Sequence, residues 1–261
     1  MRLNFRQFSE AGPPLLVLHG LFGNLRNWSW HAAELASEFS VYGLDLRNHG
    51  ESPHTDSMSY AEMAGDVLEF LESRALADVN LLGHSMGGKV AMQLALGSPQ
   101  RVRRLLVADI APVAYAEERG DHENVFQGLL AVDPGSLASR AEAEEVLSAH
   151  ISEFAVVKFL ASNLVREAHG YRWRFNLKAL HANYARLREG VVADGVFENP
   201  TLFIKGALSN YITQQDWPRI QLLFPAARIK TMMGAGHWLH AEKPQVFYKL
   251  ARDFFTAEEF S

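Results

Sequence analysis

The segment Val79-Asn80-Leu81-Leu82-Gly83-His84-Ser85-Met86-Gly87-Gly88 constrains this chain more than any other. A short apolar run leads into Gly-x-Ser-x-Gly, and the helix-forming stretch Lys89–Leu96 follows. A strand that turns into a helix within so few residues leaves no room for side chains beside the turning residue. Glycines two before and two after the serine meet that requirement. The turn lifts the Ser85 hydroxyl above the sheet edge and leaves the Met86 N–H free to bind an oxyanion. Gly-x-Ser-x-Gly alone recurs by chance; the strand before it and the helix after it carry the reading. Gly83 to Lys89 also spell the first seven positions of a phosphate-binding P-loop, another strand-to-helix junction. That motif next needs a Ser or Thr hydroxyl for Mg²⁺, and Val90 has none. It also usually sits on the first strand of its domain, and this segment lies well into the chain.

The flanking pattern predicts a doubly wound, mostly parallel α/β sheet. Leu15–Leu18, Val41–Leu44, Val79–Leu82 and Arg104–Ala108 are short apolar runs suited to strands buried on both faces. Between them, Trp28–Phe39 reads as a helix, and Ser59-x-x-Glu62 forms a capping box ahead of a helix bearing Met63, Val67 and Leu71. After Pro112 the β character disappears, and helix-like stretches run from about Tyr115 to Val196. Strand character returns at Thr201–Ile204 and Arg228–Met233, before a final helix over Pro244–Phe255 carrying Val246, Phe247, Leu250 and Phe254 inward. Strands alternating with helices imply the parallel sheet. The middle block is longer than any ordinary connection and reads as an insertion. The expected division is a core of residues 1–112 and 200–261 with a helical cap over 113–199.

Composition bounds the partners. With 261 residues, 48% of them apolar, the chain can build one large α/β core. A net charge of −5 without a dense Lys/Arg run argues against nucleic-acid binding. The absence of cysteine excludes disulfides, thiolate metal sites and a cysteine nucleophile. No signal peptide is visible after Met1-Arg2-Leu3-Asn4-Phe5-Arg6, and no apolar run reaches the length of a membrane span. The expectation is a soluble cytoplasmic protein without a membrane partner.

A serine hydroxyl needs an adjacent base to act as a nucleophile. His237 is the candidate: Gly234-Ala235-Gly236-His237-Trp238 follows the last predicted strand, and its small residues let a loop bend the imidazole back over the sheet edge. His84 is expected to turn into the fold and His240 to pack on the segment after it. His237 and His240 lack a third ligand for a metal, so neither metal nor cofactor is expected. The orienting acid has two candidates. Elbow-bearing α/β enzymes order the chain as Ser, acid, His. The loop after Thr201–Ile204, Lys205-Gly206-Ala207-Leu208-Ser209-Asn210-Tyr211, offers no carboxylate before Asp216. Asp109 ends the strand after the elbow unit and can reach the same imidazole; its alternative role is to cap the next turn. Asp109 leads and Asp216 stands second. Ser209 and Asn210 are then placed to hydrogen-bond the His–acid pair. Two backbone N–H groups, Met86 and Leu21, are expected to form the oxyanion hole, with Gly20 and Gly23 allowing close approach.

The insertion carries Phe126, Phe154, Phe159, Trp173, Phe175 and Tyr184, mostly expected as its own core, with two or three lining a pocket. Arg166, Arg172 and Arg174 are a solvated face or a seat for an anionic substrate such as an acyl-CoA. Lys89 reads as the first turn of the elbow helix, without a chemical part.

His19-Gly-Leu-Phe-Gly23, Asp45-Leu-Arg-Asn-His-Gly50, Gly83-His-Ser-Met-Gly-Gly-Lys89, Asp109-Ile-Ala-Pro-Val113, Trp173-Arg-Phe-Asn176 and Gly234-Ala-Gly-His-Trp-Leu-His-Ala-Glu-Lys-Pro244 span nearly the whole chain. Through them the sequence resembles serine hydrolases of the α/β-hydrolase superfamily. More narrowly it is similar to YbfF-type bacterial esterases and the abhydrolase-domain-11 group. The resemblance implies hydrolysis of short-chain carboxylic esters, with thioesters as a further option, through an acyl-enzyme on Ser85, with Asp109 and His237 at the matching positions. The missing acid after the later strand departs from the superfamily's commoner arrangement. The same scaffold also hosts C–C hydrolase, perhydrolase and lyase chemistry, and a catalytically silent binding module is the non-enzymatic alternative. The sequence leaves the oligomeric state open.

Overall fold

The computed structural model describes residues 1–116, 122–192 and 195–257. Among these residues nine strands form in chain order: β1 (Phe5–Gln7), β2 (Pro14–Leu18), β3 (Ser40–Leu44), β4 (Val79–His84), β5 (Val102–Ala108), β6 (Leu164–Arg166), β7 (Tyr171–Trp173), β8 (Thr201–Gly206) and β9 (Ala227–Met232). Seven of them make one sheet in the order β1-β3-β2-β4-β5-β8-β9, parallel throughout except for β1. The fold is the α/β-hydrolase fold.

The helices are α1 (Ser29–Leu35), α2 (Tyr60–Ser73), α3 (Met86–Gly97), α4 (Glu123–Ala131), α5 (Arg140–Ser148), α6 (Phe154–Ala161), α7 (Leu177–Ala182), α8 (Tyr184–Arg188), α9 (Trp217–Leu223), α10 (Leu239–Glu242) and α11 (Pro244–Thr256). The alternation of side chains along each strand sorts the core into two layers. Leu16, Leu18, Leu81, Leu105, Val107 and Phe203 pack with α2, α3 and α9 on one face. Leu15, Val17, Leu82, Leu106, Leu202 and Ile204 pack with α1 and α11 on the other. Burial on both faces is why these strands read as unbroken apolar runs.

The chain winds from β2 to β3 in one direction and from β4 through β5, β8 and β9 in the other. That reversal places a crevice at the carboxyl ends of β2 and β4, where open α/β sheets bind ligands. The loops after β2, β4, β5 and β9 all open onto it.

Several elements differ from the sequence expectation. The helix expected over Trp28–Phe39 is a 3-10 turn, Leu25–Trp28, followed by the shorter α1. The edge strand β1 escapes pattern reading because it is three residues long and mostly exposed. The insertion contains an antiparallel pair, β6 with β7, each again only three residues. In α11, Phe247, Ala251, Phe254 and Phe255 are buried while Val246 is 50% exposed. Proline at the first position of α11 starts the helix at Pro244 and sets this phase.

Candidate active site

Ser85 stands between β4 and α3 with φ +51° and ψ −121°, a conformation that side-chain-bearing residues rarely adopt. Three bonds hold the turn: the Ser85 N–H donates to Ala108 O (3.0 Å), and its carbonyl accepts from Gly88 N (2.8 Å) and Lys89 N (3.1 Å). Glycine is required on both sides. A Cβ on Gly87 would lie 2.5 Å from the carbonyl oxygens of Leu18 and His19, and one on Gly83 would collide with Gly87 O.

His237 projects from the loop after β9, in which Gly234 takes φ +64°. The Gly236 N–H donates to Glu242 Oε2 (2.8 Å), and the His237 ring stacks on Tyr211 at 3.9 Å between centroids. Beneath it lies His84, whose Nε2–H donates to the His237 carbonyl (2.9 Å). Burial pushes the His84 imidazole down to about 3, so the ring stays neutral. His84 therefore does turn into the fold. His240 is buried and stacks on Trp28 at 4.3 Å.

The structure brings Ser85, His237 and Asp109 into one hydrogen-bonded line. His237 Nδ1 lies 2.8 Å from Asp109 Oδ2, and Nε2 lies 3.0 Å from Ser85 Oγ. A carboxylate only accepts, so Nδ1 carries the proton and Nε2 presents its lone pair to the serine hydroxyl. Asp109, fully buried with φ +52°, has its other bonds supplied by the loop after β8: Gly206 N donates to Oδ1 (2.9 Å) and Ser209 Oγ donates to Oδ2. Asn210 is exposed in the same turn. Asp216 does not join this line. Its Oδ2 accepts from Thr213 N (2.7 Å) and Thr213 Oγ1 (2.9 Å), capping the 3-10 turn before α9.

Leu21 and Met86 both border Ser85. Among the described residues neither backbone N–H has an acceptor, as an oxyanion hole requires. The loop carrying Leu21 is fixed by residues whose part the sequence reading did not assign. His19 Nε2 accepts from Leu46 N (3.0 Å), His49 Nε2 from Phe22 N (3.2 Å), and Asp45 Oδ1 from Leu25 N (2.7 Å). The Asp45–Gly50 motif thus braces the loop after β2. The signal was the motif itself; its partners lie too far away in sequence to be read.

Two cavities meet at Ser85. A large one of about 620 Å³ is bordered by His237 and by apolar groups including Val125, Val156, Phe159 and Trp238. A small one of about 40 Å³ is bordered by Tyr60, Met86, Lys89, Ile110 and Tyr115. Of the insertion's aromatics, Phe159 borders the first and Tyr184 the second. Phe126, Trp173 and Phe175 are buried, and Phe154 is 70% exposed. Lys89 is no surface residue of the elbow helix: it is 1% exposed, with Nζ donating to the carbonyls of Glu189 and Arg188. Arg166, Arg172 and Arg174 border neither cavity, whereas Arg188 borders the small one. Arg174 pairs with Glu51, Arg172 with Glu167 (3.0 Å), and Arg166 donates to Tyr171 Oη (3.1 Å). Among the described residues no cluster of three His, Asp or Glu side chains is placed to hold a metal ion, and no helix is long and apolar enough to cross a membrane.

A strand–elbow–helix serine at the crevice of this sheet defines an α/β-hydrolase, and the family comparison agrees. The alpha/beta hydrolase family matches residues 15–250, and the chain belongs to that family. It is 39% identical over 248 residues to the sn-1-specific diacylglycerol lipase ABHD11 of Xenopus tropicalis, covering 92% of this chain and 76% of that protein. It is 34% identical over 260 residues to esterase YbfF of Escherichia coli strain K12, covering 98% of this chain and 100% of the relative. The solved structure of a marine microorganism esterase matches with a TM-score of 0.94 and 42% identity, covering 97% of this chain and 98% of that one. The chain is a hydrolase with esterase and lipase relatives.

Proposed function

We propose that the chain is a serine esterase that hydrolyses short-chain carboxylic esters through an acyl-enzyme. The observation that carries this reading is the hydrogen-bonded line from Ser85 Oγ through His237 to Asp109, with Leu21 and Met86 N–H beside the serine. His237 takes the hydroxyl proton as Ser85 attacks the ester carbonyl; Leu21 and Met86 N–H stabilise the oxyanion. His237 then returns the proton to the departing alcohol, and water releases the acid by the same route. Asp109 keeps the imidazole in the tautomer this sequence needs, with Ser209 supporting the carboxylate.

The cavity chemistry favours an uncharged oxygen ester. At about 620 Å³ the larger cavity is of ordinary small-molecule size, and its apolar wall suits a hydrocarbon group. Glu153 and Glu242 border it, and like charges oppose the phosphates of an acyl-CoA. Residues 113–199 act in this reading as a cap over a core of residues 1–112 and 200–261. Its α4 and α6 supply part of the cavity wall.

Fluorophosphonate labelling and a panel of p-nitrophenyl esters and thioesters test the reading. Labelling should occur in the native chain and vanish in Ser85→Ala, with turnover falling about a million-fold. Labelling that survives Ser85→Ala, or a native chain that is labelled but turns over no ester or thioester, overturns it.

A further inference from the structure

The two cavities at Ser85 differ in size by more than tenfold, and only one of them is bordered by His237. That asymmetry assigns the two halves of an ester. On the serine-esterase reading, Ser85 Oγ bonds the carbonyl carbon while His237 takes the serine proton. The bond from that carbon to the alkoxy oxygen then breaks, and the alkoxy oxygen receives the proton from His237 Nε2. Proton transfer requires hydrogen-bond reach, so the alkoxy side must lie in the space His237 faces. The acyl chain is left the other direction, toward Met86.

We infer that the small cavity beneath Tyr60, Lys89 and Tyr115 receives the acyl chain and the large apolar cavity receives the alcohol, so that the enzyme is selective for short acyl groups on bulky apolar alcohols. A single water needs at least roughly 10–15 Å³, so a cavity of about 40 Å³ has room for only a few carbons past the carbonyl. The floor is also fixed. Tyr60 Oη donates to Leu187 O (2.5 Å), Tyr115 Oη donates to Tyr211 O (2.7 Å) and accepts from Ala111 N (2.8 Å), and Lys89 Nζ donates to the Glu189 carbonyl. A longer chain would have to break buried hydrogen bonds and leave their groups unpaired, a heavy cost. On the other side Val125, Val156 and Phe159 form a broad apolar wall.

Two ester series separate the halves. p-Nitrophenyl esters from acetate to octanoate vary the acyl group alone; ethyl, butyl, octyl and 2-phenylethyl acetates, followed by acid release, vary the alcohol alone. kcat/KM should fall at least about tenfold between butanoate and hexanoate, and should hold or rise along the acetates. Leu187→Ala, which widens the small cavity and keeps the carbonyl that Tyr60 uses, should lengthen the tolerated acyl chain without changing the trend with alcohol size along the acetates. Phe159→Ala should change the trend along the acetates without changing the dependence on acyl length. Rising rates with acyl length, falling rates with alcohol size, or the two variants acting on the opposite series would overturn the assignment. The native series decide the matter even should either variant fail to fold. A chain labelled by fluorophosphonate at Ser85 but indifferent to both lengths loses the partition and keeps the esterase reading; a chain neither labelled nor active loses both.

Discussion

Asp109 and Asp216 are both buried, both follow strands of the same sheet, and differ in what their oxygens hold. Asp216 is taken by Thr213, in a closed turn. Asp109 follows β5 with a positive φ, and its carboxylate meets Gly206 at the end of β8, Ser209 in the loop after it, and His237 in the loop after β9. Asp109→Asn should lower kcat/KM on the order of 10⁴, because an amide at that place favours the wrong imidazole tautomer. Asp216→Asn alters a cap away from the Ser85–His237 line. It should cost no more than about 1 kcal/mol of unfolding free energy in a urea titration and leave kcat/KM within a few-fold. A severe loss of turnover in the second variant with a mild one in the first would reverse the assignment. The sequence ranked Asp109 ahead of Asp216 and left both open. The choice depends on a backbone angle at one residue and on a loop nearly a hundred positions away.

The elbow is held by two elements that approach so closely that side chains are excluded between them. Gly87 lies against the end of β2, and Gly65 lies on the open face of α2 with nothing near its missing Cβ. The same Gly→Ala substitution should therefore have opposite signs at the two places. Gly87→Ala should lower stability by about 1–3 kcal/mol through overpacking and should reduce turnover, since it pushes on the His19–Leu21 backbone. Gly65→Ala should raise stability by about 0.4–1 kcal/mol by restricting the unfolded chain and improving helix propensity. Urea midpoints measure both, and a neutral Gly87→Ala would contradict the packing described. Helix α2 was legible because Ser59 caps it, its Oγ accepting from Glu62 N, although the Glu62 carboxylate meets Ser59 Oγ and Arg47 and not the Ser59 N–H of a full box. Strands β6 and β7 were not, since three residues are too few to display a period.

The molecule as a whole is fastened by polar bonds between the insertion and the core. Asn176 N donates to Asn48 O (2.8 Å), Asn24 Nδ2 to Asn163 Oδ1 (3.0 Å), and Asn183 Nδ2 to Asp56 O (2.8 Å). Phe22, in the loop after β2, meets Phe126 and Phe175 of the insertion at 5.3 Å each. Under this assembly lies a set of buried histidines. Burial lowers His31 to about 4 and His84 to about 3, and also lowers His19, His49 and His240. The unfolded chain takes up these protons near pH 6.5 and the folded chain resists them, so the unfolded state binds more protons in that interval. Stability should be insensitive to these groups above about pH 6.5 and should fall as pH drops from there toward 4 and 3. Thermal midpoints from pH 8 to pH 4 measure this; a midpoint unchanged down to pH 4 would contradict the burial of these rings.

Local pattern was sufficient for the sheet, the elbow serine and the glycine-flanked histidine, because each depends on the character of residues adjacent in the chain. Apolar runs mark strands buried on both faces, and a serine between glycines marks a turn with no space. Tertiary structure alone decided which carboxylate lies against His237, the burial of Lys89, the bracing by His49 and Asp45, and the unequal cavities on either side of Ser85. Each of these is a distance between segments that meet only when the sheet has formed and the insertion has closed over it.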